Sequence, residues 1–201
     1  MMKGNGSGVI VGLDLAGVQN RPTGFCVLTE LRAETGLVYE DEEIIRKTRQ
    51  AEPQIVAIDA PLSLPKGRKS IEERTSTHLR ECDKELLRRT IKFFPITIGP
   101  MRKLTARGIE LKQILKDRKT KVIEVFPGGA QDILEIPRKQ RGLGKLKDGL
   151  EKLGIRGLIE GLSDHELDAV TCAYVGHLFL EGKACAYGTG EEVMIMPEDQ
   201  K

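Results

Sequence analysis

Four acidic residues stand in parts of the sequence that otherwise favour burial. Three of them lie at or near the carboxyl ends of short apolar segments, and the fourth lies within a segment of helical character. They are Asp14, Asp59, Glu124 and Asp168. An ionised carboxylate that is buried without a partner is costly, and neighbouring like charges raise one another's pKa. If the fold brings these acids together, we expect a cation to compensate them.

The chemistry of this set favours a divalent metal with oxygen ligands. Carboxylates suit Mg²⁺ or Mn²⁺, whereas a zinc site usually takes cysteine and histidine at short spacing. The sequence offers carboxylates where a zinc site would need those residues. We therefore expect Mg²⁺ or Mn²⁺ as the cofactor.

The size and composition of the chain predict one domain. Its 201 residues are enough for one substantial core, and no shift in composition divides residues 1–201 in two. Hydrophobic residues make up 39% and charged residues 31%, which is an ordinary balance for a soluble protein. The formal net charge of +2 is too small to identify a partner by itself.

Cysteine usage and hydropathy predict a cytoplasmic protein without a membrane span. The four cysteines form no CxxC pair and no signal peptide precedes them, so we expect reduced thiols. No apolar run reaches the roughly 18 residues that a membrane-spanning helix needs. No membrane partner is therefore expected.

The spacing of apolar residues predicts an α/β chain. Strands are expected at 8–14, 23–30, 36–39, 55–59 and 122–126, with a last edge strand at 193–196. Helices are expected at 41–50, 77–93, 102–116, 142–153 and 164–180, with a further helix start after Pro127. Ser163 and Glu166 form the pattern of a capping box at the start of the last helix. Residues 62–119 form a mostly helical insertion between the Asp59 and Glu124 strands.

The middle of the chain is basic and is the part best suited to a phosphate-bearing partner. Between residues 66 and 107 there are twelve Lys or Arg residues against five Asp or Glu. Candidate substrate-binding residues are two in the loop after Asp14 and three on the helix at 77–93, namely Arg21, Thr23, Arg80, Lys84 and Arg88. A plain surface loop and a solvated helix face explain these residues equally well. Aromatic residues, at 4%, are too scarce to predict a platform that stacks exposed bases.

Five motifs span most of the sequence. They are Val11-Gly-Leu-Asp14-Leu-Ala, Ile58-Asp59-Ala-Pro61-Leu-Ser, Phe94-Pro-Ile-Thr-Ile-Gly99-Pro-Met101, Ile123-Glu124-Val-Phe-Pro127-Gly-Gly-Ala-Gln131-Asp132 and Asp164-His165-Glu-Leu-Asp168-Ala-Val-Thr-Cys-Ala173-Tyr. Together they resemble a family of uncharacterised proteins predicted to be nucleases of the RNase H-like fold. The last motif is more distantly similar to that of Holliday-junction resolvases, in which a late helix supplies a histidine and aspartates to the metal cluster.

This resemblance implies a mixed central sheet flanked by helices and a metal-dependent hydrolysis of DNA or RNA. Two metal ions about 4 Å apart can activate a water on one side of the phosphorus and stabilise the leaving oxygen on the other. Asp14 is expected to bridge the metals, because the first strand is central in the implied fold. Asp59 and Glu124 are expected to flank one metal each.

The last helix is expected to complete this site. Asp164 and Asp168 are four residues apart and therefore share one face of the helix. Asp168 is the stronger metal ligand of the two, since Asp164 can instead interact with the helix dipole. His165 can position the attacking water or accept its proton, or it can simply pack near the helix start. Gln131 and Asp132 are weaker candidates.

Each acid also has an explanation without function. Asp14 can be a turn residue, Asp59 can end its strand in an Asx turn, and Glu124 can pair with an interior arginine.

For the whole protein, two functions other than a nuclease are also considered. One is a module that binds nucleic acid, a nucleotide or another partner without hydrolysis. The other is a phosphotransferase of the sugar-kinase and actin type, although such proteins contain two halves of this kind. The insertion can serve as a lid, a substrate platform or the surface of a homodimer.

Overall fold

A computed structural model describes residues 8–199. The single domain predicted over residues 1–201 also includes residues 1–7, 200 and 201, which lie outside the described part. The strands are β1 (Ile10–Asp14), β2 (Thr23–Thr29), β3 (Arg32–Val38), β4 (Ile55–Asp59), β5 (Lys121–Glu124), β6 (Ala184–Tyr187) and β7 (Met194–Pro197). The helices are α1 (Asp41–Ala51), α2 (Glu81–Arg88), α3 (Gly99–Leu115), α4 (Pro127–Ile133), α5 (Leu143–Lys152) and α6 (Asp164–Leu180), and a short 3₁₀ helix covers Lys139–Arg141.

A five-stranded mixed sheet forms the centre of the molecule. Its strand order is β3-β2-β1-β4-β5. Strand β2 runs antiparallel to both of its neighbours, whereas β4 and β5 run parallel to β1. This order and these directions are those of the RNase H-like fold, so the fold predicted from the sequence motifs is confirmed.

The two faces of the sheet bury different side chains, because successive residues of a strand point to opposite sides. On one face, Ile10, Ala57 and Ile123 pack in a core that includes most of the buried residues of α6. On the other face, Val11, Ile58 and Val122 pack in a smaller core. Residues of α1 and α3, including Ile44 and Leu111, complete that second core.

Helix α6 lies unusually close to the sheet, because two strands carry glycine beneath it. A Cβ atom on Gly12 of β1 would lie 2.1 Å from the carbonyl oxygen of Ala169. A Cβ atom on Gly24 of β2 would lie 1.9 Å from the carbonyl oxygen of His165. Real Cβ atoms do not approach backbone so closely, so any larger residue would push the helix away from the sheet.

The insertion between β4 and β5 is less helical than predicted. The helix expected at 77–93 extends only over Glu81–Arg88. It ends in a Schellman motif, in which the Ile91 amide donates to the Leu86 carbonyl at 2.9 Å and the Thr90 amide donates to the Leu87 carbonyl at 3.0 Å. Thr90 takes the left-handed position of this motif with φ of 59°. Apolar spacing continues beyond this point in the sequence, which is why it did not reveal the end of the helix.

The carboxyl-terminal part also differs from the prediction. The edge strand expected at 193–196 forms as β7, but it pairs with β6 in a separate two-stranded sheet. Strand β6 was not predicted. Strand β3 begins at Arg32, earlier than the predicted segment at 36–39. No helix of residues 8–199 is both long and apolar enough to cross a membrane.

The contact between β1 and α6 gives a test of the fold. We expect Gly12→Ala to reduce the free energy of unfolding by about 1–3 kcal/mol, because the added methyl group meets helix backbone that cannot rotate away. Gly36→Ala is the matched control, since a Cβ atom at that strand position meets nothing within 4 Å. Urea unfolding monitored by circular dichroism measures both. Equal stability of the two variants would contradict the described packing.

Candidate active site

Asp14 and Asp59 meet at the carboxyl ends of two neighbouring parallel strands. They are register partners at the ends of β1 and β4. The residues two positions earlier, Gly12 and Ala57, face α6. Because the side-chain period of a strand is two residues, both carboxylates point to the same side. The structure therefore brings the first two predicted acids together under the start of α6.

Helix α6 supplies the next two predicted residues. Its start is fixed by the predicted capping box: the Glu166 amide donates to Ser163 Oγ at 3.2 Å, and the Ser163 amide donates to Glu166 Oε2 at 3.0 Å. His165, one turn before Asp168, has its Nδ1 atom 2.7 Å from Asp14 Oδ2. The hydrogen bond to Asp14 raises the pKa of His165, although partial burial opposes this. A protonated His165 donates through Nδ1 and compensates Asp14.

Asp168 is held by two polar side chains. Gln131 of α4 donates from Nε2 to Asp168 Oδ1 at 2.8 Å. Lys139 Nζ lies 2.9 Å from Asp168 Oδ2 and 3.2 Å from Asp164 Oδ2. Burial raises the pKa of Asp168, and the hydrogen bond from Lys139 acts in the opposite direction. The two acids that share a face of α6 thus share one ammonium group.

Lys139 is the residue of this site that sequence reasoning missed. It lies in the short 3₁₀ helix, where neither periodicity nor a motif marks it. Burial lowers its pKa, but the hydrogen bond and charge of Asp168 outweigh this and raise the pKa overall. Gln131, which the sequence offered only as a weak candidate, contacts Asp168 directly, whereas Asp132 is exposed and pairs with Arg138.

Asp59 is the carboxylate whose charge is least compensated. No described residue donates a hydrogen bond to the Asp59 carboxylate. Burial raises its pKa well above the ordinary value, and the negative charges of Asp14 and Asp168 add to this. Lys139 opposes the shift only through its charge. This position therefore favours a proton or an added cation more than an ordinary aspartate position does.

Glu124 does not join this cluster, although the sequence predicted that it would. Its register partner on β4 is Ile58 and not Asp59. Ile123, the residue before it, packs on the α6 side, so the alternation of the strand directs Glu124 to the opposite face. The sequence places an acid on a third strand, but it does not reveal that this side chain points to the opposite face of the sheet from Asp14 and Asp59.

On that opposite face, Glu124 pairs with an interior arginine. Arg80 donates from Nη1 to Glu124 Oε2 at 2.7 Å and from Nη2 to Oε1 at 2.8 Å. Arg80 also binds Asp83, and the Leu62 amide donates to Glu124 at 2.7 Å. Both partners of the main pair are 2% exposed. This contact matches the alternative given for Glu124 in the sequence analysis, which was pairing with an interior arginine.

The predicted substrate-binding residues are not assembled into one surface. Arg80 is buried in its ion pair and cannot contact a nucleic-acid backbone. Lys84 and Arg88 are exposed on α2 but pair with the nearby acids Glu81 and Glu85. In the loop after β1, Arg21 is exposed. Thr23 is buried, and its Oγ1 accepts a hydrogen bond from the Ala16 amide at 3.1 Å, which closes the loop.

The donor set fits an oxygen-coordinated divalent cation in its chemistry. Asp14, Asp59 and Asp168 offer carboxylate oxygens on one side of the sheet, which are the ligands that Mg²⁺ and Mn²⁺ prefer. The uncompensated Asp59 is the observation that favours such an ion. Within residues 8–199, however, no three acidic, histidine or cysteine side chains are already arranged to hold a metal.

A cavity of about 750 Å³ opens beside the cluster. Asp59, Gln131, Lys139 and Asp168 form part of its wall. A ligand in this cavity can therefore reach the carboxylates from outside the sheet. This position, beyond the carboxyl ends of β1 and β4, is where open α/β sheets usually bind their ligands.

Three comparisons relate this chain to known proteins. Among solved structures, the chain is similar to T. thermophilus RuvC in complex with a Holliday junction substrate, with 14% sequence identity and a TM-score of 0.48. The similarity covers 87% of this chain and 96% of the RuvC chain. A search of curated proteins finds no match. The family described as "Protein of unknown function (DUF429)" matches residues 12–192, a range that contains every residue of the acidic cluster. The chain therefore belongs to the DUF429 family.

Proposed function

We propose that this protein is a metal-dependent nuclease that hydrolyses phosphodiester bonds of DNA or RNA. Its metal ligands are Asp14, Asp59 and Asp168, and its metal is Mg²⁺ or Mn²⁺. The observation that carries the proposal is the position of Asp59, which is partly buried at the end of β4 beside Asp14 and close to Asp168 and has no hydrogen-bond donor among the described residues. Such an arrangement lowers the stability of the fold, so stability does not explain its presence. Carboxylates with shifted pKa values in a cavity are typical of functional sites.

In the proposed reaction, a water oxygen forms a bond to phosphorus and one ester P–O bond breaks. The water loses a proton and the leaving oxygen gains one, so the products are a phosphomonoester and a hydroxyl group. The bound metal would supply activation of the water and stabilisation of the developing negative charge. No change of oxidation state is involved.

The remaining residues of the site support the ligands. His165 fixes the orientation of Asp14 through their 2.7 Å contact, and Gln131 fixes Asp168. Lys139 carries a positive charge next to the position where a phosphate would lie, so it can attract the substrate as well as neutralise Asp168. Asp164 acts through Lys139 and is not proposed as a direct ligand.

A second function is favoured by one specific observation. His165 and Lys139 already compensate the charges of Asp14 and Asp168 in part. A module that only binds nucleic acid would need such compensation, because it would have no metal ion to neutralise these acids. Such a module would retain nucleic acid at low salt without turnover under any divalent metal. The homodimer, the single-domain organisation and the cytoplasmic location remain predictions from the sequence.

The first test replaces a proposed ligand. We expect Asp59→Asn to melt at a higher temperature than the wild type in EDTA, because the substitution removes a partly buried charge that Asp14 and Asp168 repel. In Mn²⁺ the variant should lose the increase in melting temperature that the wild type shows. Its cleavage of a panel of single-stranded, duplex and branched nucleic acids should fall by about a hundredfold or more. Differential scanning fluorimetry and gel assays give the two readouts.

Asp148→Asn is the control for that test, since Asp148 is an exposed acid of α5. Asp14→Asn should lose the Mn²⁺ response in the same way as Asp59→Asn. A full Mn²⁺ response in both ligand variants would show that the metal binds elsewhere and would overturn the proposal. Cleavage that persists in both would mean that another site, or a contaminant, is responsible.

The second test concerns Lys139. We expect Lys139→Met to lower the metal-free stability by about 1–2 kcal/mol, because Asp164 and Asp168 lose their shared ammonium group. The same change should enlarge the Mn²⁺-induced rise in melting temperature, because the metal no longer competes with an internal cation. Lys145→Met, at an exposed position of α5, is the control. A smaller Mn²⁺-induced rise in melting temperature in Lys139→Met than in the wild type would contradict the proposed competition between Mn²⁺ and the Lys139 ammonium group.

The third test separates structural from functional acids. We expect Glu124→Gln to cost about 3 kcal/mol of stability, because it leaves Arg80 with an incomplete set of buried partners. Its Mn²⁺-induced shift should equal that of the wild type. Chemical unfolding and fluorimetry measure the two quantities, with Glu110→Gln on the surface of α3 as the control. Unchanged stability together with a lost Mn²⁺ response would restore Glu124 as a ligand.

A further inference from the structure

Three aromatic side chains lie together at the cavity beside the carboxylates. The sequence contains five phenylalanines, and three of them, Phe93, Phe94 and Phe126, line this cavity. The low aromatic content had argued against a stacking platform. Their distribution in the structure reverses that argument, because the rings are placed where a substrate of the proposed site would have to lie.

Part of this apolar lining faces water. Phe94 is 73% exposed and Leu87 is 54% exposed. Phe93 and Phe126 are partly buried and pack against the main core. A cluster of exposed apolar side chains at a concave site is typical of ligand binding, whereas scattered single residues are not.

The segment that carries two of the rings is held at both ends. Ile91 and Ile96 are buried, with exposures of 8% and 1%. Between them, Phe93 and Phe94 precede Pro95, whose ring restricts the backbone. The Schellman motif at the end of α2 fixes the direction in which this segment leaves the helix. The aromatic wall is thus built into the fold.

Charged groups complete the cavity. Lys92, Arg138 and Lys139 line it together with the three rings, and Asp59 and Asp168 are also part of its wall. The Arg138 guanidinium lies 5.9 Å from the centroid of the Phe126 ring. Flat apolar rings next to cations match a nucleotide, which has a planar base attached to a negative phosphate. A purely apolar peptide would make no use of the positive charge at this cavity, where Lys92 is exposed and Arg138 and Lys139 add to the charge although they also contact acids.

We propose that this cavity receives one unstacked base of a nucleic acid, so that the adjoining phosphate lies over the carboxylate cluster. The inference rests on the proposed function and deepens it. It assigns the substrate class as nucleic acid with an unpaired base next to the cleaved bond, in contrast to a fully paired duplex. Phe94 provides the main stacking surface, and Lys92 and Arg138 attract the backbone.

Binding measured in EDTA tests this site without cleavage. The probes are a fluorescent oligothymidine, a paired duplex and the same duplex with one unpaired nucleotide, each followed by anisotropy. We expect Phe94→Ala to weaken binding of the first and third probes about tenfold, because stacking on one aromatic ring is lost. Binding of the paired duplex should change little. Phe94→Trp should retain wild-type affinity for all probes.

Two further variants make the test specific for stacking. Phe94→Leu keeps an apolar side chain but removes the ring, so it should behave like Phe94→Ala. Ile159→Ala removes an apolar side chain that is 67% exposed outside the cavity, and it should bind like the wild type. Affinity of Phe94→Leu equal to that of the wild type would overturn the proposal in favour of a general apolar contact, such as one with a peptide. An equal loss for all three probes would also overturn it.

A competition experiment distinguishes the source of the base. Thymidine monophosphate should displace the oligothymidine only weakly if the site reads a base within a chain. Displacement at equal concentrations would overturn the assignment to nucleic acid and indicate a mononucleotide site. Phe94-dependent binding without any cleavage would defeat the proposed function alone, whereas cleavage that ignores Phe94 would defeat this inference alone.

Discussion

The close contact of α6 with β1 and β2 is the constraint on which the site depends. Glycine at two strand positions allows the helix backbone to rest on the sheet, and this brings the first turns of the helix to the carboxyl ends of β1 and β4. Without it, His165 could not reach Asp14. The same contact buries Asp168 and partly buries Asp14 and Asp59. Mutual repulsion and loss of hydration therefore both raise the energetic cost of these charges.

The buried and partly buried acids form two groups, one on each side of the sheet, and the two groups have different partners. On the α6 side of the sheet, acids cluster with incomplete compensation, which costs stability and leaves room for a ligand. On the opposite side, Glu124 and Asp83 share Arg80 with well-formed charged hydrogen bonds, which fastens the insertion to β5. The Arg80 group is fully buried and its acids have complete hydrogen-bond partners, whereas Asp14 and Asp59 are partly exposed and Asp59 has no donor among the described residues.

Much of the fold followed from the sequence, and the errors have identifiable causes. Strand β4 and helix α6 were predicted with their observed bounds, because uninterrupted apolar runs and a capping box define them locally. The side of the sheet to which Glu124 points was not predicted, since it depends on the register between strands, which a single sequence does not reveal. Arg80 was assigned to a surface because helical spacing gives a face but not the neighbour against which that face packs. Lys139 was missed because its role arises only from tertiary proximity.

The buried ion cluster around Arg80 also bears on how the protein responds to heat. Removing charged groups from water becomes less costly as temperature rises, whereas hydrophobic stabilisation levels off. The attachment of α2 to β5 therefore strengthens, relative to the apolar cores, on warming. Leu79 and Leu87 of the cavity wall lie next to Arg80 and within α2, so this attachment also ties part of the wall to β5.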